Sequence, residues 1–153
     1  MAAHENMSHE QFFHHMVDVL GPESEGLESG GQGYEWGKVP PYVFRTMSDE
    51  EYQKGTRQGY FKSDERNNWR AQQRALGNPN WHTMPEEGTV AGVSAYTGYL
   101  PVNKPGRIVK FDTSKHEGWE VHPHVPEGDY IRTMGRIPAD SIVATTKPVI
   151  RRG

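Results

Sequence analysis

"YVFRTMSDEEYQKGTRQGYFKSD", residues 42–64, is the most sharply punctuated stretch of the chain, and the rest is read outward from it. It is preceded by "VPP", and prolines are tolerated at the entry to a strand, where a missing N–H does least harm. A strand is therefore expected over "VPPYVFR", ending at Arg45. Ser48 then stands as a helix N-cap with Glu51 three residues on, the spacing of a capping box. Asp49 and Glu50 add negative charge at the positive end of the helix dipole. Met47 and Tyr52 are spaced for a hydrophobic staple. Arg57 falls in the last turn, and Gly59 supplies the stop. Gly55, inside the helix, costs roughly 1 kcal/mol relative to Ala. A short aromatic segment, "GYF", follows.

Upstream, "MSHEQFFHHMVDVLG" reads as an amphipathic helix. Ser8 is its cap, Gln11 completes a capping box, and Gly21-Pro22 ends it. Phe12, Phe13, Met16, Val17 and Leu20 share one face, so the helix docks on its own domain, a target or a second subunit. Residues 21–38, "GPESEGLESGGQGYEWGK", lack periodicity and are rich in Gly, Ser and Glu, as a flexible linker is. The expected organisation is an N-terminal helix over 1–20, a linker over 21–38 and a main domain over 39–150. Downstream, "ERNNWRAQQRAL" makes a helical turn or two, broken by "GNPN". Five short segments then turn to β: "GTVAGVSAY", "GRIVKFD", "GWEVH", "DYIRT" and "SIVATT". Each is rich in β-branched or aromatic residues and bounded by Gly, Pro or Asp. Helical pieces followed by a run of strands indicate the α+β class, with an antiparallel or mixed sheet.

At 153 residues the chain has room for one domain. Its net charge of −3 gives no electrostatic reason to expect a nucleic-acid partner. The chain has no cysteine, which removes disulfides, thiolate zinc sites and cysteine nucleophiles together. The N-terminus lacks the basic-then-apolar pattern of a secretion signal, and no apolar run approaches the ~20 residues that span a bilayer. A soluble cytoplasmic protein is the expectation.

Of eight histidines, four (His4, His9, His14, His15) lie in the N-terminal segment without HExxH spacing. His122 and His124 alternate, as two ligands on a strand would, but zinc needs a third and fourth. No metal site is expected. Three features remain: Arg45, Ser94 and the acidic pair Glu127 and Asp129. Arg45, where strand hands over to helix, offers a planar fork to a phosphate or ribose. Spacing alone favours the plainer reading of a surface arginine paired with Asp49 or Glu50.

The stretch 42–64 resembles the opening of small bacterial and phage ADP-ribosyltransferase-like domains. There a strand ends in an aromatic-Arg pair, followed by an "MSxEE" helix and a "GY(x)xSD" segment. "GDYIRTMGRIPADSIV" is similar to the close of the same domains, and "EEGTVAGVSAYTGYL" occupies the place of their middle strand. The likeness spans about residues 40 to 146. It implies a split two-sheet β core with flanking helices and NAD+ held between the sheets as co-substrate. By that resemblance Arg45 contacts the NAD+ ribose or phosphate. Ser94, with Thr97 as second choice, holds the nicotinamide ribose. A carboxylate before the final strand supports the charge that develops as nicotinamide leaves. The family's glutamate is replaced here by Asp129 just before Tyr130, with Glu127 two residues earlier, and either carboxylate fits the role. Tyr96 or Tyr60 is a candidate for stacking on nicotinamide or adenine. The implied activity is mono-ADP-ribosyl transfer to an acceptor, more in keeping with a protein than a nucleic acid. The alternative is a non-catalytic interaction protein on the same scaffold, of phage origin.

Overall fold

A computed structural model describes residues 7–27, 39–62, 69–83, 89–92, 100–121, 130–133 and 136–152. The quoted stretch folds as expected in outline but with its junctions moved. The first strand, β1 (Tyr42–Ser48), runs three residues past Arg45, directly into helix α2 (Asp49–Gln58). Ser48 is both the last strand residue and the N-cap, its Oγ accepting from Glu51 N at 3.0 Å. Gly59 closes the helix in the left-handed conformation at φ +95°, which side-chain-bearing residues adopt at a cost. The chain then enters β2 (Tyr60–Phe61).

The five expected β segments all contain strands: β3 (Thr89–Gly92), β4 (Pro105–Asp112), β5 (Trp119–Val121), β6 (Tyr130–Thr133) and β8 (Ile142–Thr145). Two further short strands carried too little sequence to be seen, β7 (Ile137–Pro138) and β9 (Val149–Ile150). Among the described residues, seven strands form one antiparallel sheet in the order β5-β6-β3-β1-β4-β8, with β9 following β8 along the same edge of β4. Between β8 and β9, Thr146 keeps the ladder closed: its N donates to Ile108 O and its Oγ1 accepts from Ile108 N, both at 3.0 Å. β2 and β7 make a separate two-stranded ribbon, with Tyr60 opposite Pro138 and Phe61 opposite Ile137. The general α+β class therefore holds. The "GYF" and "RIP" segments, about 75 residues apart in sequence, are direct partners.

Alternation along β1 divides the core between the two faces of the sheet. Val43 and Met47 join Phe61, Val109, Phe111, Ile131 and Ile137 on the face that carries Tyr52 of α2. Phe44 and Ile108 face the other way, onto helix α1 (His9–Leu20). α1 has the capping box read from the sequence, Ser8 Oγ accepting from Gln11 N and Gln11 Oε1 from Ser8 N. Its Phe12, Met16 and Leu20 are each 1% exposed, each burial favouring the docked state by about 1.5–3 kcal/mol. So α1 docks on its own sheet.

The segment expected to be a linker over 21–38 begins with order. Pro22–Leu27 form a 3-10 helix whose Leu27 fills the α1 side of the core. Residues 28–38 lie outside the described residues. Lys110 on β4 ties this region down. It is buried, its Nζ donates to Leu20 O at 2.7 Å and pairs with Glu23, and it lies 4.2 Å over the Tyr42 ring. A cation on the last turn of α1 also answers the negative end of the helix dipole. Helix α3 (Trp69–Ala75) is the short helix expected before "GNPN". Arg70 and Arg74 lie 5.5 and 5.3 Å from the centre of the Trp81 ring.

Candidate functional site

Arg45 is neither at the end of its strand nor on the surface. It is 9% exposed, sits on the α2 face of the sheet between Val43 and Met47, and stands opposite Val109. A buried guanidinium needs a partner. It has one in Glu51, Arg45 Nε donating to Oε2 at 2.9 Å. Neither Asp49 nor Glu50 takes this place. Glu51 lies three residues after Ser48 and Arg45 three before it, so the pair spans the strand-to-helix corner. The second arm of the expected capping box is thus replaced by an ion pair to the sheet.

Asp49 is drawn off by a second arginine that the sequence did not single out. Arg107, opposite Met47, donates from Nε to Asp49 Oδ1 at 2.6 Å and from Nη1 to Thr146 O at 3.1 Å. Its guanidinium lies 4.2 Å from the Tyr52 ring centre, a favourable cation–π distance. The acidic first turn of α2 therefore does more than complement the helix dipole. Two of its three carboxylates anchor the helix to neighbouring strands through partly buried guanidinium groups.

Tyr60 is half-buried on β2, and the Arg136 guanidinium lies 4.1 Å from the centre of its ring. Ser94, Tyr96, Thr97, Glu127 and Asp129 lie outside the described residues, as do His122 and His124. What the structure does place is the strands that lead to them. β3, β1 and β6 are neighbours, and Phe44, Gly92 and Tyr130 form one row across the three. Arg45 follows Phe44 along β1, Gly92 ends β3, and Tyr130 begins β6.

Beside α2 lies a groove of about 290 Å³, missed in the sequence because its walls come from three separate segments. Glu50, Glu51 and Lys54 line it from the helix, and Lys62 and Lys104 from the chain on either side. The signal that could have found it is Gly55. A Cβ there would stand 2.1 Å from Phe61 Cε1, so the helix and β2 approach closely only because the position is glycine.

Among the described histidines, His15 Nε2 accepts from Lys147 N at 2.9 Å, and His14 lies 3.8 Å from Glu10. His116 Nε2 is 2.6 Å from Thr133 Oγ1, and its ring packs edge-on to Trp119. Partial burial lowers the His116 pKa, with the Glu117 carboxylate pulling the other way. Among the described residues no three His, Cys, Asp or Glu side chains gather as metal ligands would, and no helix is long and apolar enough to cross a membrane. In comparison with known proteins, the chain matches no family model, no curated protein and no solved structure.

Proposed function

We propose that the chain is an NAD-dependent mono-ADP-ribosyltransferase built on a split two-sheet core. One observation carries the proposal. The three segments that resemble the first, middle and last motifs of such domains hold adjacent strands, β1, β3 and β6, in register along the row Phe44–Gly92–Tyr130. They are 38 or more residues apart in sequence, so strand pairing rather than nearness along the chain brings them together. The β2–β7 ribbon adds weight, since it joins the tail of the first motif to the "IP" of the last.

In this proposal Arg45 binds a phosphate or ribose of NAD+, Ser94 or Thr97 holds the nicotinamide ribose, and Tyr60 or Tyr96 stacks on a ring. The Glu127 or Asp129 carboxylate stabilises positive charge at the ribose C1′ as its bond to nicotinamide breaks. Nicotinamide leaves with the bonding pair. The acceptor nucleophile then bonds to C1′ and gives up a proton. The test is nicotinamide release in the presence of lysate, by wild type, by Arg45→Lys and by Glu127→Ala/Asp129→Ala. The proposal expects release by the wild type and its loss in both variants. An absence of NAD+ consumption, together with no thermal shift on adding NAD+, would overturn it.

A second function is favoured by one specific feature, the Arg45–Glu51 pair. A guanidinium held by a helix carboxylate is a structural brace, as a non-catalytic interaction protein on the same scaffold would use it. Under that alternative Arg45→Lys alters stability, and no NAD+ chemistry is found in the wild type.

A further inference from the structure

The groove beside α2 is an unusual place in an acidic chain. Lys54 projects from the helix, Lys62 follows β2, and Lys104 precedes β4; all three line it. Among the described residues none of the three has an ion-pair partner, whereas Glu51 on the same wall is already neutralised by Arg45. Among the described residues, three lysines and one carboxylate without an ion-pair partner, Glu50, therefore line the groove, while the whole chain carries −3. Such local charge reversal concentrates anions.

Ordered elements lie beside each of these lysines. Asn103, just before Lys104, adopts the left-handed conformation at φ 60°, and its N donates to Arg151 O at 2.7 Å. Val102 bridges to Arg151 beside it. Lys62 leaves the β2–β7 ribbon, and Lys54 lies one residue before Gly55, where helix and ribbon touch. The three charges come from three anchored segments rather than from one solvated run.

We infer that this groove binds the phosphoryl group of a small-molecule ligand. The cations lining it are all lysines. An ammonium binds phosphoryl oxygens as a point charge with three rotatable donors, and several cations in one groove favour an anion that carries more charge than a single carboxylate, as a phosphoryl group does. The volume, just below the usual range for ligand pockets, has room for a small phosphorylated group and little more. The inference does not rest on NAD+ turnover, because Arg45 is behind Glu51 and is not part of the groove wall.

The test is a titration of the full chain with inorganic pyrophosphate and with ADP at constant ionic strength, followed by backbone amide shifts. Saturable shifts are expected at Lys54, Gly55, Lys62 and Lys104 with both probes. Lys54→Ala/Lys104→Ala, checked for folding by circular dichroism, should weaken the apparent Kd by about tenfold or more, as expected when charge-assisted bonds are removed. Lys115→Ala, at an exposed lysine after β4, should leave it unchanged. No saturation, shifts centred elsewhere, or an unchanged Kd in the double variant overturns the inference. Saturation by ADP alone also overturns it, because recognition would then lie with the base or sugar. NAD+ consumption in the double variant, whether kept or lost, is scored separately.

Discussion

Gly55→Ala sets two well-characterised effects against each other. In a solvent-exposed helix interior, replacing Gly by Ala gains about 1 kcal/mol. Here a built Cβ would stand 2.1, 2.3 and 2.6 Å from Phe61 Cε1, Cδ1 and Cζ. Restoring a normal contact of 3.4 Å needs a shift of about 1.3 Å. Phe61 has nowhere to go: it is 1% exposed, and its ring packs edge-on to Phe111 with centroids 5.7 Å apart. It is also fixed in register with Ile137. Overpacking typically costs about 1–3 kcal/mol; with no room for Phe61 to yield the upper end applies, and the net loss is about 2 kcal/mol. For a chain of this length a loss of about 2 kcal/mol lowers Tm by about 4–8 °C. Chemical denaturation of wild type, Gly55→Ala, Phe61→Leu and the double variant measures this. The smaller leucine makes room for the new methyl, so the cycle should show a favourable coupling of about 1 kcal/mol. An unchanged or raised Tm for Gly55→Ala would falsify the close contact between α2 and β2, and with it the floor of the groove.

The remaining predictions concern the ties between layers. Lys110→Met removes the cation that caps Leu20 O and pairs with Glu23. Hydrogen exchange should then quicken over residues 9–27 more than in β1 and β4, and equal quickening in both would refute the view of Lys110 as a local clamp. His116 is held in its neutral form by partial burial, so its folded pKa lies below the unfolded value of about 6.5. As pH falls below that value the unfolded chain takes up the proton first, and stability drops until the folded pKa is passed. Urea denaturation from pH 7.5 to 5 should show this fall in the wild type, with a flatter profile in His116→Gln; parallel profiles would contradict it. Glu51→Gln weakens the hold on Arg45 and should lower stability by about 1 kcal/mol, since Glu51 is 31% exposed and part of the pair is screened by water. If Arg45 serves NAD+, the same change should also tighten NAD+ binding, measured by calorimetry, whereas a purely structural Arg45 gives only the loss of stability.

Much of the local structure was legible because it rests on neighbours in sequence. The caps at Ser8 and Ser48, the stops at Gly21 and Gly59 and the five β segments all depend on residues within a few positions. What was hidden depends on pairing at long range. β7 and β9 have two residues each, too few to show alternation, and exist because β2 and β4 offer them edges. Pro22–Leu27 looked like linker by composition, yet a single leucine and Lys110 hold it to the sheet. Arg45 was misplaced for the same reason. Nothing local tells whether a strand stops at an arginine or carries it onward into the core, because the partner that makes burial affordable is on the next element. Ser94, Tyr96, Thr97, Glu127 and Asp129 lie outside the described residues.

The absence of a loop between β1 and α2 gives the Arg45–Glu51 pair its importance. With Ser48 serving both elements, the direction of α2 is set by one residue's backbone and by whatever crosses the corner. Two ion pairs cross it, from adjacent strands, to carboxylates two residues apart on the helix. Together with Tyr52 packed on the core, they hold the helix on the sheet in the orientation in which Gly55 meets Phe61. An anionic ligand that took the Arg45 guanidinium from Glu51 would therefore act on more than one side chain. It would release one of the two ion pairs at the corner while Arg107 kept the other. Glu51 thus belongs both to the groove wall and to the pair that holds Arg45.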